Sequence, residues 1–263
     1  MSRNRLGVAL GSVRPPRPEP GAPVSAAPST TVVAMHMSDG IVNAPTSLAF
    51  GVLALVALAV AVSRARTELD ERTAPMAGLV AAFVFAVQMV NFPILPGVSG
   101  HLLGGALAAI LVGPFTGALC VSIVLVVQAL LFADGGLTAL GTNITNMALL
   151  GTAVGYGVAV ALRPLLAHRG ARGIAVLAFV SAFVNTVVAA MGFVVEYAIG
   201  GAATTSLGTV ATYMAGTHAL IGVGEGIITA LTVGAVAAAR PDLVYLLRTL
   251  PRGAAPARAG AAA

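Results

Sequence analysis

From residue 44 onward the chain alternates long apolar runs with short polar links. Seven apolar segments stand out, at 44–63, 74–92, 101–112, 114–132, 138–162, 174–199 and 208–239. At 1.5 Å per helical residue, six of them can cross a hydrocarbon core of about 30 Å; the third reaches only roughly 18 Å. The pattern predicts an all-α integral membrane protein, a bundle of seven transmembrane helices. In the second segment Ala74, Gly78, Ala82 and Ala86 recur every fourth position. Such a small-residue stripe suits close approach of another helix, from this chain or from a second one.

Composition supports the same class. Of 263 residues, 58% are hydrophobic and only 9% charged, against about 25% charged in an average soluble domain. There is too little polar surface here to coat a water-soluble globule, so lipid must be the solvent for much of it. A net charge of +5 could speak for nucleic acid, but no basic cluster is interleaved with aromatics, and no nucleic-acid partner is expected. The fourteen basic residues are all arginine, and their placement orients the bundle. With the start of the first segment outside and all seven segments crossing, Arg64, Arg66, Arg72, Arg163, Arg169, Arg172, Arg240, Arg248, Arg252 and Arg258 all fall on the cytoplasmic side. If the short third segment failed to cross, the link 163–173 would flip outside with three arginines. So it crosses, and the preceding stretch, 93–100, is expected to dip below the outer surface as irregular backbone lining a cavity. That places His101, at the head of a short helix, in an outward-facing pocket.

Residues 1–34 differ in kind. They carry Arg3, Arg5, Arg14 and Arg17 and the prolines Pro15, Pro16, Pro18 and Pro20, with no apolar periodicity. The stretch reads either as a disordered leader or as a misassigned start, with synthesis beginning at Met35. The expected organisation is then a leader at 1–34, a metal-binding transmembrane domain at 35–239 and a cytoplasmic tail at 240–263. Cys120 is the single cysteine and lies in an apolar run, which leaves no disulfide framework and no thiolate metal cluster.

The chemistry concentrates near the start. In Met35-His36-Met37-Ser38-Asp39-Gly40, a free amine on Met35, the amide nitrogen of His36 and its Nδ1 can chelate one metal through two fused rings. One more nitrogen completes a four-nitrogen plane of the kind Ni2+ or Cu2+ favours and Co2+ accepts, and His101 is the obvious donor. The amine must lose its proton, so binding is expected to depend on pH around its reference value of about 7.7. His36 is equally accounted for as a polar residue at a membrane edge. His101 serves as well as a helix cap, although an ionisable group below the bilayer surface is functional by default. Asn143, Asn146, Asn185, Glu196, His218 and Glu225 are further polar residues inside apolar segments. The asparagines suit interhelical hydrogen bonding. His218 and Glu225, seven apart on one helix face, form either an internal polar network or a cavity wall. Asp134-Gly135-Gly136 reads as a turn at the outer surface.

The chain resembles the substrate-binding membrane components of cobalt and nickel energy-coupling-factor transporters, the CbiM/NikM family. The resemblance runs from Met35 to about Ala239. It rests on Met35-His36 with Asp39-Gly40, and on Asn91-Phe92-Pro93 leading to Ser99-Gly100-His101-Leu102-Leu103-Gly104-Gly105. Further markers are Gln128 to Phe132 with Asp134-Gly135-Gly136, Gly141 and Asn143 with Asn146-Met147, and His218 to Gly222 with Gly224-Glu225. It implies an ECF substrate-component fold with an extra N-terminal helix. Co2+ or Ni2+ would be the transported substrate, held by the Met35 amine, the amide and imidazole of His36, and His101, with no organic cofactor. Asp39, Asn91 and Ser99 are expected to orient the imidazoles from behind. The implied partners are a transmembrane coupling protein, two cytoplasmic ATPase subunits and a small accessory membrane subunit, in a bacterial inner membrane and in the service of cobalamin synthesis. The chain carries no Walker A sequence of its own. As written, the 34 residues ahead of Met35 would remove the amine ligand.

A different class competes. Gly97-Val98-Ser99-Gly100 fits a G-x-S-G nucleophile motif, and His218 with Gly222 mimics the base helix of a rhomboid-like intramembrane serine protease. That reading leaves Met35-His36 without a role and supplies no histidine in an earlier span for the oxyanion. A transporter subunit, not an enzyme, is the expectation.

Overall fold

The computed structural model describes residues 36–71, 73–90, 92–95, 98–202 and 204–248, with backbone alone at 92–95 and 98–100. The leader 1–34, Met35, Asn91 and the Ser99 side chain lie outside the described residues. Helix α1 (Ala44–Ala65) starts where Asn43 caps the Thr46 amide at 3.0 Å and Pro45 occupies the first turn, where its missing N–H costs nothing. α2 (Ala74–Gln88) stops short of the expected residue 92. Pro93 lacks an N–H and disfavours helical backbone before it, and the chain turns into a short antiparallel hairpin, β1 (Phe92–Leu95) with β2 (Val98–Gly100), pairing Phe92 with Gly100. The stretch expected to be irregular therefore satisfies part of its own backbone.

α3 (Gly105–Val112) is buried at all eight positions, which is why its sequence is apolar all round. It begins four residues later than expected, so His101 precedes the helix on non-helical backbone instead of heading it. Gly104 explains the delay. Its φ of +80° suits glycine, and a Cβ there would lie 2.8 Å from Val84 Cγ1. α4 (Pro114–Leu131) follows after one residue, and Glu68 from the α1–α2 link accepts from the Phe115 and Thr116 amides at its start, at 3.2 and 2.6 Å.

The fifth predicted segment is one continuous helical path in three parts: α5 (Leu140–Asn143), a π-helical stretch (Ile144–Leu150) and α6 (Gly151–Leu166). The wider π turns shift the helix phase, so that Thr142, Asn143, Asn146 and Met147 all become buried. After a 3-10 turn at Ala167–Arg169, α7 (Gly170–Gly200) and α8 (Leu207–Ala239) form a long antiparallel pair, with Ser206 capping α8. Past Ala239 the chain folds back through Pro241–Leu243 and α9 (Tyr245–Arg248), burying Val244 and Leu246 completely in the core; Arg163 Nη1 donates to the Leu246 carbonyl at 3.4 Å.

The outside of the bundle is greasy. Leu48, Leu55, Leu131 and Leu231 are each about 70% exposed, an arrangement that water disfavours and lipid accepts. The helical stretches Ala44–Ala65, Pro114–Leu131, Leu140–Gly200 and Leu207–Ala239 are long and apolar enough to cross a bilayer. This is a multi-pass membrane protein, all-α among the described residues except for one short hairpin.

Candidate metal-binding site

Ahead of α1, residues 36–43 run across one end of the bundle and are tied down along their length. The Asn43 amide donates to Gly200 O at 2.7 Å and the Ala202 amide to Ile41 O at 2.9 Å, joining this segment to the end of α7. Asp39 Oδ1 accepts from both the amide and the hydroxyl of Thr138, at 2.8 and 2.5 Å. These bonds, the hydroxyl's above all, hold the Asp39 carboxyl below its usual range, so the tie persists above pH 3.8 and is lost only as pH falls through the lowered value. Gly136 N donates to Met37 O at 2.9 Å, and a Cβ on Gly136 would sit 2.3 Å from the Asp39 nitrogen. The Asp-Gly-Gly turn is glycine-rich because the N-terminal segment lies directly on it.

Asn143 clamps both backbone polar groups of one residue. Its Oδ1 accepts from Met37 N at 2.8 Å while its Nδ2 donates to Met37 O at 3.1 Å. This asparagine holds backbone, where interhelical hydrogen bonding was expected of it. The clamp fixes the residue after His36 and buries the His36 side chain to 1% exposure.

His101 arrives from the other direction. Glu225, in the middle of α8, accepts from Leu103 N with Oε2 and from Gly104 N with Oε1, both at 2.8 Å, and also from Thr186 Oγ1 at 2.9 Å and Asn185 Nδ2 at 3.4 Å. Gln88 Nε2 donates to Leu103 O at 2.7 Å. The loop carrying His101 is thus held by a buried carboxylate at the start of α3, favourable at a helix N-terminus. Glu225 does not pair with His218.

The result is two buried imidazoles with ring centroids 4.6 Å apart. His36 Nδ1 lies 2.9 Å from Asp134 Oδ1, and His101 Nδ1 lies 2.8 Å from Leu102 O. Both acceptors require Nδ1 to carry the proton, which leaves the lone pair on Nε2 in each ring. Both Nε2 atoms are buried and have no hydrogen-bond partner. Buried polar atoms are nearly always satisfied, and two lone pairs facing an apolar interior suit a cation. Asp134, read from the sequence as a turn residue and a family marker and not as a site residue, adds a negative charge: the hydrogen bond from His36 lowers its carboxyl pKa. Among the described residues no group of three or more His, Cys, Asp or Glu is arranged to hold a metal, so a metal bound here would need donors from outside that set. Of the residues expected at the site, His36 and His101 come together and Asn143 clamps the backbone beside them; Asp39, expected to orient an imidazole, bonds Thr138 instead, Asp134 takes that place at His36, Glu225 acts from behind, and His218 lines a neighbouring cavity.

Replacing Asn143 with alanine removes both bonds to Met37. Metal affinity is expected to fall about 10- to 100-fold, as for other residues that orient a ligand, with the helical circular dichroism unchanged. A titration giving the native Kd would count against the clamp's role.

A buried nitrogen site at one end of a multi-pass bundle defines the class: a membrane component that handles a transition metal. Residues 36–243 match the family model described as cobalt uptake substrate-specific transmembrane region, CbiM, and the chain belongs to that family. It is 40% identical over 210 residues to a chain of Archaeoglobus fulgidus provisionally named fused nickel transport protein NikMN, covering 80% of this chain and 68% of that one. It is 32% identical over 223 residues to the cobalt transport protein CbiM of Sorangium cellulosum, covering 82% and 97%. The crystal structure of a truncated transition metal transporter superposes with a TM-score of 0.66 at 28% identity, covering 76% of this chain and 96% of that chain. The chain is a transport component and not an enzyme, which removes the protease reading of Ser99 and His218. His218 spends its Nδ1 on Met214 O at 2.8 Å.

Proposed function

We propose that the chain is the substrate-capture subunit of an ATP-driven energy-coupling-factor importer for Co2+ or Ni2+. The observation that carries this reading is the pair of buried imidazoles of His36 and His101, with rings 4.6 Å apart and the His101 Nε2 left without a partner. The ion is held by the Met35 amine, the His36 amide and imidazole nitrogens, and His101, with the chain starting at Met35. Chelation through His36 Nδ1 displaces its hydrogen bond to Asp134 and moves the ring proton to Nε2; the freed Asp134 carboxylate then offsets the charge of the incoming cation.

The described arginines support the orientation. Arg64, Arg66, Arg163, Arg169, Arg172, Arg240 and Arg248 all belong to the bundle end opposite His36, so the site opens outward and the C-terminus is cytoplasmic in a bacterial inner membrane. Cobalt, for cobalamin synthesis, is the preferred cargo by family resemblance. Ala74, Gly78, Ala82 and Ala86 are all exposed on α2. The stripe is unused within the chain and offers a face for the transmembrane coupling protein, which would join two cytoplasmic ATPases and a small accessory membrane subunit.

The test combines intact mass with elemental analysis. Purified protein whose mass begins at Met35 should carry one Co2+ or Ni2+ per chain, and acetylating that amine should abolish loading. Full loading of a chain that retains residues 1–34 overturns the ligand set.

A further inference from the structure

Beside the two histidines lies a second group of donor atoms. A small, partly enclosed cavity with about 30 Å3 of free space is lined by Met37, Asn146, Met147, Phe193, Met214 and His218, among others. That is room for one water or one ion. It adjoins the first site through Met37, next in sequence to His36, and through Leu103, two residues from His101. His101 and His218 are close enough for a charge on one ring to be felt at the other.

The donors can be sorted by what already occupies them. His218 Nδ1 donates to Met214 O at 2.8 Å, which fixes the tautomer and leaves the lone pair on Nε2. The Met37 sulfur accepts the Thr142 hydroxyl at 3.3 Å. The thioethers of Met147 and Met214 remain. Asn146 Nδ2 donates to Glu196 Oε2 at 2.7 Å, while Glu196 Oε1 is buried without a partner. A carboxyl group thus stands one hydrogen bond behind the lining, where losing its proton to an incoming cation would offset that charge inside an apolar bundle.

We propose that this cavity is a second, weaker station for the transported ion, with His218 Nε2 as its nitrogen donor and the Met147 and Met214 thioethers as soft donors, occupied as the ion leaves His36 and His101. The inference rests on the capture reading above. Thioethers are poorer ligands for Co2+ or Ni2+ than imidazole or deprotonated amide. A transit station gains from that: ions leave weak, multiple sites readily and strong single ones slowly.

The test uses the full chain in detergent, processed to Met35, with Co2+ as the probe. The wild type should bind one equivalent tightly and a second roughly 100-fold more weakly, and X-ray absorption at two equivalents should show sulfur in the cobalt shell. His218→Ala should keep the tight step and lose the weak one. The double substitution Met147→Leu with Met214→Leu conserves volume, and should do the same if His218→Ala fails to fold. Saturation at one equivalent up to millimolar Co2+, or a weak step that survives both variants, overturns the station while leaving the capture site standing. Absence of the tight step in the wild type overturns the capture reading, and the station with it, since no ion is then handed on.

Discussion

His101→Ala should lower Co2+ or Ni2+ affinity by more than about 100-fold, beyond the range seen when only an orienting residue is removed. The imidazole is buried to 2% exposure, and within the protein it makes a single local hydrogen bond, to Leu102 O. Its loss frees that carbonyl and a ring-sized space, a stability cost of about 1–3 kcal/mol. The fold should survive this, because the loop is held by Glu225 and Gln88 and not by the histidine. His36→Ala should match it in affinity, since the Asn143 clamp grips the Met37 backbone whatever side chain precedes it. Isothermal titration of each variant, with thermal unfolding as the control, separates lost ligation from lost structure. Native stoichiometry in the His36→Ala, His101→Ala double variant would sink the site.

Glu225→Ala should be the most destabilising single change among the buried polar residues, at about 3–5 kcal/mol, because it strands several buried neutral donors, each of which costs about 1–3 kcal/mol when left unsatisfied. Its carboxyl group accepts from four donors on two parts of the chain: two amides ahead of α3, and Thr186 and Asn185 of α7. None of these donors has water to turn to, as Glu225 is itself only 1% exposed. Glu225→Gln should be intermediate, because an amide offers one accepting oxygen and sets its NH2 against an N–H. Both variants release the backbone that carries His101, so metal affinity should fall with thermal stability. A wild-type Tm in Glu225→Ala would show that the α3 start holds itself.

Much of the bundle was visible in the chain. Apolar run length located α1, α4, α7 and α8 within a few residues, because a span has to match the thickness of the hydrocarbon. Run length misled where backbone conformation took over. The second segment ended early at the turn before Pro93, and the third began late, since Gly104 adopts a left-handed φ and Glu225 holds the Leu103 and Gly104 amides. An apolar tally cannot see either constraint. The role of Asn143 was hidden too: regular helix periodicity does not anticipate a π-helical stretch after it, and nothing local says that an asparagine will grip the main chain of residue 37, over a hundred positions away. Asp134 carried one signal, its place in the Asp-Gly-Gly turn, which was also a family marker.

The sequence by itself determined the solvent, the number of apolar segments and the two histidines worth testing. These follow from local composition and spacing, quantities that a chain carries whether or not it is folded. Only the tertiary structure decided that His36 and His101 face each other, that Asp134 and Leu102 fix their tautomers, and that Glu225 serves the loop instead of His218. Each of those depends on which distant backbone amide or carbonyl arrives beside a side chain, and packing alone settles that.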